Sequence, residues 1–508
     1  MKSMQRIMTF VSTRNSKPVN GNGMGAKAAF FYNSNNPPSS LSPIPRNGAR
    51  LFSTGVDPEG SKRGVDAVNL LPTYLADARA CPEGSLQLGV AENQMLEDLL
   101  VPALSDFATR DSFAADYIYY QPTHGRPQTR QAMTKFLERT LKLPKSLDED
   151  GMVIGAGCNA VLENLCFCIA EQGDAVMIPT PYYAAFEFDL VARAGLSIVP
   201  VTTFDSNSDI VPPVDSLDPI PHQAYYPNRQ SLDAAYDRAK KQGNPPRVLL
   251  LSHPNNPLGI CYPADVVKDC IDWCRERQVH LISDEIYAGS VYGASPMNPF
   301  TSALTLAAGH EDKEKGLGLG NYVHFVYALS KDFALSGLRV GACYSENEKI
   351  RLPMQKLNDM CQISSQTQSL VDKMLTTKSS SSYWTDEFLQ ESHSRLRQRA
   401  DAFMAVLDEC GIPYLPADSG LFVWIDMSKY LPPLDPAMLS NDGVESAESQ
   451  NNRERELYMS LMYEGGCLFT PGLSTRAERP GFFRCVFTAA SDEEFDLALE
   501  RVRKFSKK

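Results

Sequence analysis

The sequence lacks the features that mark membrane-spanning, zinc-binding and disulfide-rich proteins. It contains no run of 18 or more apolar residues, so we predict no transmembrane helix. Its 12 cysteines are scattered, with no C-x-x-C pair and no His/Cys cluster at zinc-ligand spacing, which predicts no metal site and a reducing compartment. A net charge of −12 argues against a nucleic-acid partner. With 43% apolar and 22% charged residues, the 508-residue chain has the composition of a globular protein of two or three domains.

Acidic residues are absent from residues 1–56, which carry seven Lys or Arg side chains and are rich in Ser, Asn, Pro and Gly. A basic, acid-free, Ser-rich N-terminus is typical of an organelle transit peptide. The stretch Arg50–Thr54 resembles the processing region of mitochondrial presequences. We therefore predict the mitochondrial matrix, with a plastid or the cytoplasm as alternatives. A disordered leader without a targeting role is the other interpretation.

Strand-like and helix-like segments alternate from residue 57 on, a pattern typical of βαβ units around a largely parallel sheet. From about Leu375 the pattern changes to a long helix followed by short strands, which indicates a second, α+β domain. We predict an α/β fold with a mostly parallel sheet in a large domain and a smaller α+β domain. The predicted divisions are a leader (1–56), an N-terminal arm with part of the small domain (57–110), the large domain (111–375) and the small domain (376–508).

Particular elements can be placed on this outline. Four short apolar runs have the length of buried strands, at 175–178, 247–251, 279–282 and 322–327. Helices are predicted from about 159 to 170, over 264–277 and over 388–410. Two polar, Pro-rich stretches, 205–228 and 432–453, are predicted to be surface insertions.

Polar residues follow three of the four apolar runs. Asn256 follows the second run, Asp284 and Tyr287 follow the third, and Lys331 and Arg339 follow the fourth. In an open parallel sheet, ligands bind beyond the carboxyl ends of the strands. Each residue alone is explained by a turn, a helix cap or a surface charge, but their joint placement at one sheet edge favours a binding site.

A glycine-containing turn, Gly155–Asn159, precedes the first predicted helix. A helix N-terminus offers unpaired N–H groups and the positive end of a dipole, which suits phosphate. Pyridoxal 5′-phosphate (PLP) is a cofactor that needs such a turn together with a lysine, a carboxylate beside its ring nitrogen, and donors for its ring oxygen and phosphate. An aromatic face commonly packs on its ring, and the segment Pro179–Tyr183 supplies a candidate.

Motifs spread over residues 85–500, in the right order, resemble those of the class I/II aminotransferases of PLP fold type I, and within them the 1-aminocyclopropane-1-carboxylate (ACC) synthase-like branch. The resemblance implies that fold, PLP as the cofactor, an amino acid and a 2-oxo acid as substrates, and a homodimer with sites at the subunit interface. The matching stretches are Gly89–Gln94, Gly173–Phe186, Asn255–Gly259, Ser283–Tyr287, Leu329–Asp332 with Gly337–Gly341, Ser364–Gln368, Arg395–Arg399, Gly420–Trp424 and Gly481–Arg484.

The resemblance gives three residues a catalytic role. Lys331 would form the Schiff base with PLP and later carry the Cα proton, since an amine whose pKa is lowered by burial is a suitable base. Asp284 would pair with the ring nitrogen. Tyr287 would hydrogen-bond the ring oxygen together with Asn256, which also lies on the substrate side.

The remaining roles implied by the resemblance concern the ring face, the phosphate and the substrate. Tyr183 would stack on the ring. Arg484 would clamp the substrate α-carboxylate with two parallel hydrogen bonds, and Glu92 would face the substrate. The groups assigned to the phosphate are the Arg339 side chain and the backbone N–H groups of Gly157, Cys158 and Asn159.

Two positions depart from the family pattern. Relatives usually carry a serine phosphate ligand three residues before the Schiff-base lysine, where this chain has Ala328; Ser330, next to the lysine, is counted among the cofactor-binding residues. The ACC synthase pattern has a tyrosine directly before a His-Gly pair, where this chain has Thr123. In the family that tyrosine comes from the partner subunit, and Tyr119 and Tyr120 are the nearest aromatic substitutes.

These departures bear on the reaction. The missing tyrosine favours transamination between an L-amino acid and a 2-oxo acid. Glu92 keeps open ACC synthesis, in which the γ-sulfonium of S-adenosylmethionine is eliminated, and another PLP-dependent lyase reaction is a further alternative. A catalytically silent scaffold is disfavoured because it needs none of the retained site residues. The sequence offers no obvious second arginine for a distal carboxylate, so the choice of amino acid stays open.

Overall fold

The structure is a computed structural model that describes residues 85–109, 115–212, 220–293, 299–379, 381–435, 438 and 445–507. All of these residues belong to one unit of the chain. The predicted leader, 1–56, lies outside the described residues, as does most of the predicted arm. Among the described residues no helix is long and apolar enough to cross a membrane.

Strands within the described residues form three sheets. They are β1 (Leu86–Gln87), β2 (Met152–Gly155), β3 (Ala175–Pro179), β4 (Ser197–Val201), β5 (Pro246–Ser252), β6 (His280–Asp284), β7 (Val323–Ala328), β8 (Gly341–Ser345), β9 (Tyr414–Leu415), β10 (Phe422–Asp426), β11 (Cys467–Leu468), β12 (Thr470–Pro471) and β13 (Phe482–Val486).

The largest sheet has seven strands in the order β2-β8-β7-β6-β5-β3-β4. Strand β8 runs antiparallel to β2 and β7, and the other neighbours pair in parallel. The four predicted strands are confirmed as β3, β5, β6 and β7, within two residues at each end. Their continuous apolar sequence is explained by burial on both faces, as expected for the interior of an α/β sheet.

A second sheet of four antiparallel strands, in the order β12-β13-β10-β9, forms from the C-terminal part of the chain. Separately, β1 pairs in parallel with β11, so that Leu86 lies opposite Cys467. The predicted α/β class with a mostly parallel large sheet is confirmed. The exact domain boundaries stay predictions.

Helices surround these sheets, and the predicted ones are confirmed with small shifts. The helix predicted over 264–277 has those bounds, the one predicted from about 159 begins at 158, and the one predicted over 388–410 begins at 384. The described helices are α1 (Glu97–Thr109), α2 (Pro127–Thr140), α3 (Cys158–Ile169), α4 (Phe186–Val191), α5 (Arg229–Lys241), α6 (Ala264–Arg277), α7 (Ala303–Ala307), α8 (Leu329–Asp332), α9 (Glu348–Leu357), α10 (Ser365–Thr376), α11 (Trp384–Cys410), α12 (Ala447–Tyr463) and α13 (Asp492–Phe505).

The first predicted surface insertion is partly buried, and the second is mostly exposed but partly helical. Residues 447–453 belong to α12, because Ser446 caps that helix by accepting the Ser449 N–H. Further along the helix, the buried Glu454 accepts the backbone N–H groups of Leu473 and Gly481, at 2.8 Å each. In the first stretch, Ala224 and Tyr225 are buried in an apolar cluster. The first stretch therefore contains buried residues, and the second ends in a helix whose next residue, Glu454, is buried.

The core lies on both faces of the seven-stranded sheet. Alternate residues of β3 point to opposite faces, with Val176 and Ile178 in one apolar cluster and Ala175 and Met177 in the other. The first cluster continues into the four-stranded sheet through residues such as Phe422. This shared core packs the two sheets against each other, next to the edge that carries the predicted site.

Candidate active site

The strand ends bring the predicted residues to one edge of the large sheet. Asp284 is the last residue of β6 and lies opposite Ser252, the last residue of β5. The loop that carries Asn256 begins there. Ala328 ends β7, and Lys331 follows in the short helix α8. The carboxyl ends of these parallel strands thus lie side by side, as the sequence predicted.

The antiparallel strand β8 explains how an arginine reaches the same edge. Because β8 runs against its neighbours, it begins where they end. Its first residue, Gly341, lies opposite both Ala328 and Gly155, the last residue of β2. Arg339 comes two residues before β8, and Gly157 comes two residues after β2. The arginine and the glycine turn therefore meet beside Ala328.

A cradle for an anion forms where these segments meet. Gly157 has a φ of 89°, and a Cβ there would lie 2.3 Å from Nη2 of Arg339. A Cβ on Gly341 would lie 2.5 Å from the carbonyl carbon of Gly157. Only glycine allows this close approach. The guanidinium is thereby held directly against the N-terminus of α3, and both features favour an anion such as phosphate.

One of the three predicted backbone donors is engaged within the chain, and its role towards a phosphate stays a prediction. The Gly157 N–H donates to the Gly155 carbonyl at 2.8 Å. Cys158 and Asn159 are the first residues of α3, so their N–H groups have no acceptor within the helix. Gly157 contributes by its missing side chain, and the N–H groups of Cys158 and Asn159 are the predicted donors without a helical partner.

A residue that the sequence analysis missed holds this helix start in place. The Asn159 amide donates to both oxygens of Asp189 in α4, at 2.8 and 3.0 Å. Burial raises the pKa of Asp189 to about 6, against the lowering effect of the Asn159 hydrogen bond and of the Arg339 charge. Asp189 carries no motif of its own, so only the pairing across the fold identifies it.

Asp284 is a buried carboxylate, 4% exposed. Its Oδ1 accepts the backbone N–H of Ile286 at 3.3 Å and the thiol of Cys158 at 3.8 Å, neither of which is a cation. Burial raises the pKa of Asp284 to about 7, while both hydrogen bonds lower it. A protonated ring nitrogen beside this carboxylate would supply the positive charge that stabilises its ionised form.

We expect the burial of Asp284 to lower the stability of the cofactor-free protein at alkaline pH. The folded pKa of about 7 lies above the ordinary 3.8, so the folded state holds the proton more tightly. The associated stability is present below pH 4 and is lost as the pH rises towards 7. The neutral Asp284→Asn variant lacks this loss. The unfolding temperature of the variant apoprotein, relative to that of the wild-type apoprotein, should therefore be higher at pH 8 than at pH 5.

The matched control is Glu493→Gln, which removes an exposed carboxylate of α13. It should shift the unfolding temperature by the same small amount at both pH values. If the difference in unfolding temperature between wild type and Asp284→Asn is the same at pH 5 and pH 8, the expectation is contradicted. Asp284 would then have the same pKa in the folded and unfolded states.

Two buried donors of the predicted site have no hydrogen-bond partner among the described residues. The hydroxyl of Tyr287, which is 2% exposed, has no hydrogen bond, and neither has Nε of Arg484, which is 4% exposed. An unpaired buried donor is costly unless a ligand satisfies it. These groups accord with predicted roles towards a cofactor oxygen and a substrate carboxylate.

The rest of the Arg484 guanidinium is held by groups from distant parts of the chain. Its Nη1 donates to Oδ1 of Asn256 at 2.7 Å, and its Nη2 donates to the Gly89 carbonyl at 2.6 Å and to Oγ1 of Thr470 at 3.2 Å. Arg484 lies in β13, opposite Thr470 and Trp424. The small sheet thus orients the guanidinium towards the edge of the large one.

Lys331 lies at the centre of the site. Its ammonium donates to the Ala91 carbonyl at 2.6 Å, so the segment Gly89–Gln94 covers it. Burial and the neighbouring Arg484 charge lower the pKa of Lys331 to about 8, and the Glu92 carboxylate acts in the opposite direction. The Glu92 side chain also accepts a hydrogen bond from Ser336 at 3.4 Å. The Arg484 cation and the Glu92 anion therefore act on the lysine with opposite effects on its pKa.

Asp332, the neighbour of Lys331, ties its helix to the loop after Asp284. Its carboxylate accepts the Gly289 N–H at 2.7 Å, the Ser290 hydroxyl at 2.6 Å and the Tyr327 hydroxyl at 2.8 Å. These bonds fix the position of α8 relative to β6. Asp332 thereby sets the separation of the lysine from Asp284, a role that its acidic character alone did not reveal.

The other predicted cofactor residues lie at the same edge. Tyr183 is half-buried, with its ring edge-on to Phe186 at 5.4 Å. Ser330 is buried in α8, and Ala328 precedes that helix without a side-chain cap. The phosphate role of Ser330 stays a prediction.

Thr123, which stands where the ACC synthase pattern has tyrosine, is bonded within its own subunit. Its hydroxyl donates to the Gln355 carbonyl at 2.6 Å. Tyr119 and Tyr120 are exposed, Tyr120 completely. That Tyr119 or Tyr120 takes the place of the family's partner-subunit tyrosine stays a prediction. The homodimer stays a prediction as well.

Comparison with known proteins agrees with this geometry. The family model for aminotransferase class I and II matches residues 87–502. The chain is 33% identical to 1-aminocyclopropane-1-carboxylate synthase 6 of Arabidopsis thaliana, over 84% of this chain and 79% of that protein. It is 34% identical to 1-aminocyclopropane-1-carboxylate synthase 1 of Oryza sativa subsp. indica, over 84% of this chain and 81% of that protein.

Solved structures show the same fold. Aspartate aminotransferase from Thermus thermophilus with maleate superposes with a TM-score of 0.66 at 20% identity, over 88% of this chain and 99% of that one. The aromatic aminotransferase from Pyrococcus horikoshii gives a TM-score of 0.63 at 18% identity, over 87% and 98% of the two chains. At this identity the likeness establishes PLP fold type I and nothing about the substrate.

Proposed function

The chain belongs to the class I and II aminotransferase family, whose enzymes depend on pyridoxal 5′-phosphate. From this premise we propose that it catalyses an ACC synthase-type reaction. Its substrate would be S-adenosylmethionine, a cationic L-amino acid whose γ-substituent is eliminated. The observation that carries the proposal is the Glu92 carboxylate, whose negative charge acts on Lys331. An assay of methylthioadenosine release tests it.

The described residues fit the cofactor. The cradle of Arg339 and the start of α3 would hold its phosphate, Asp284 its ring nitrogen, Tyr287 and Asn256 its ring oxygen, and Lys331 its aldehyde carbon. When bound, PLP supplies an electron sink that acidifies the Cα proton of an amino acid.

The protein side chains would orient the substrate and move its proton. Arg484 would bind the α-carboxylate through Nε and a neighbouring Nη. A lysine with a pKa of about 8 is deprotonated often enough near neutral pH to take the Cα proton. In the proposed elimination the Cγ–S bond breaks with its electron pair going to sulfur, a Cα–Cγ bond closes the ring, and methylthioadenosine leaves.

The charge of Glu92 favours this substrate class. A sulfonium substrate is positively charged on the side of its γ-carbon, and a carboxylate there stabilises it. A dicarboxylic acid at the same position would meet repulsion. The Arabidopsis and rice relatives named as ACC synthases support the same choice over the transamination that the sequence analysis placed first.

Transamination remains a second candidate because of one observation. The position where the ACC synthase pattern has tyrosine is Thr123, whose hydroxyl is engaged by its own subunit. In a site without that tyrosine, Lys331 would deliver the proton taken from Cα to the cofactor, as transamination requires. The two candidates share every other residue of the site.

We expect the purified holoenzyme to release methylthioadenosine from S-adenosylmethionine. Replacing Glu92 with glutamine should lower that release about 100-fold, because the sulfonium loses its counter-charge. The measurement is a chromatographic assay of methylthioadenosine, run beside an absorbance assay for the pyridoxamine form with a panel of amino acids.

The matched control is Glu97→Gln, which removes an exposed carboxylate of α1 and should leave the rate unchanged. Accumulation of the pyridoxamine form without methylthioadenosine would reject the elimination and favour transamination. Equal rates for wild type and Glu92→Gln would reject the role given to the carboxylate.

A further inference from the structure

The carboxylate of Asp284 is held on one oxygen only. Both hydrogen bonds it accepts, from the Ile286 N–H at 3.3 Å and from the Cys158 thiol at 3.8 Å, go to Oδ1. Within the described residues no hydrogen bond reaches Oδ2. Two donors on one oxygen fix the rotation of a carboxylate, and they leave the other oxygen available to a ligand.

The thiol is placed there by the anion cradle. Cys158 is the first residue of α3 and follows Gly157, whose backbone is packed against Arg339 and Gly341. This packing fixes the start of the helix, so the direction of the Cys158 side chain is fixed with it. The sulfur lies between the helix that would hold the phosphate and the carboxylate that would hold the ring nitrogen.

The thiol in this position acts as a hydrogen-bond donor. Burial raises the pKa of Cys158 well above its ordinary value, and the charges of Asp284 and Asp189 raise it further. The sulfur therefore keeps its proton and has no nucleophilic character. A thiol is a weak donor, but a charged acceptor strengthens the bond.

We propose that Cys158 is a positioning residue: its thiol fixes the Asp284 carboxylate so that Oδ2 meets the ring nitrogen of the cofactor. The unpaired hydroxyl of Tyr287 and the unpaired Nε of Arg484 mark the same space as one that a ligand fills. The role concerns the cofactor and holds for either candidate reaction, so its failure and the failure of the proposed function are separate results.

Cofactor titration of the full-length apoprotein tests the role. We expect Cys158→Ala to bind PLP about tenfold more weakly, as for the loss of one hydrogen bond to a charged group. Cys158→Ser should restore the affinity to within about twofold, since a hydroxyl donates to the same oxygen. Absorbance of the bound cofactor gives the dissociation constant without reference to activity.

A cofactor analogue separates positioning from packing. In 1-deaza-pyridoxal phosphate a C–H group replaces the ring nitrogen, so Asp284 has no partner on it. Wild type and Cys158→Ala should then bind the analogue equally. In an Asp284→Asn background, the Cys158→Ala substitution should likewise leave the affinity for natural PLP unchanged. The effects of two substitutions that remove the same contact are not additive.

The matched control is Cys166→Ala, which removes a buried thiol two turns further along α3. It should leave the dissociation constant unchanged. A tenfold loss that persists with the deaza analogue or in the Asp284→Asn background would overturn the proposal and assign Cys158 to packing. Unaltered PLP affinity in Cys158→Ala, with an unchanged unfolding temperature, would overturn it as well.

Discussion

Replacing Lys331 with alanine is expected to remove the visible absorbance of the bound cofactor and to lower turnover about 10⁴-fold. The physical reason is that one amine both binds the cofactor covalently and moves the Cα proton. Its surroundings suit both tasks, since burial and Arg484 lower its pKa to about 8 while the Ala91 carbonyl accepts its hydrogen bond.

Spectra of purified wild type and variant, before and after borohydride, measure the first effect. Borohydride should bleach the wild-type band permanently and label Lys331, which peptide mass analysis would locate. The control is Lys349→Ala, an exposed lysine of α9, whose spectrum should match the wild type. A Lys331→Ala protein with an unchanged band would disprove the assignment.

Replacing Arg484 with glutamine is expected to lower kcat/KM about 100- to 1,000-fold, mostly through KM. Truncating one partner of a buried, hydrogen-bonded charge pair costs about 3–4 kcal/mol, which corresponds to that factor. Glutamine cannot present the two parallel donors of a guanidinium to the substrate carboxylate. Steady-state kinetics with the natural substrate measure the loss.

A substrate analogue without the α-carboxylate distinguishes binding from structure. The corresponding amine should bind wild type and Arg484→Gln with equal affinity. If the variant lost as much affinity for the amine as for the amino acid, Arg484 would be a structural bridge between Asn256, Gly89 and Thr470 only. Arg501→Gln, which removes a donor to the Gly466 carbonyl, is the matched control.

Much of the site was predictable because its residues follow directly on strands. A buried parallel strand has a sequence signature, and the residue at its carboxyl end must lie at the ligand edge of the sheet. This reasoning placed Asp284 and Lys331 without any contact information. Arg339 was placed correctly as well, although the antiparallel direction of β8, which brings it there, is not visible in its sequence.

Contacts between distant segments were not predictable. The Cys158 thiol and the Asp284 carboxylate are 126 positions apart, and the Asn159–Asp189 pair joins two helices without a shared motif. Hydrophobic periodicity reports which face of an element is buried, and carries no record of the partner. For the same reason the hydrogen bond from the Gly157 N–H to the Gly155 carbonyl was not predicted, because it depends on a tight turn of the backbone.

The pairing of β1 with β11 has a consequence for the time at which the enzyme becomes complete during synthesis. The Ala91 carbonyl on Lys331 and the Gly89 carbonyl on Arg484 both belong to the segment that follows β1. That segment has no strand to pair with until Cys467 has left the ribosome. At about 5–20 residues per second, the early segment waits roughly 20–80 seconds for its partner. A stalled or truncated chain could therefore form most of the large sheet and still lack a closed site.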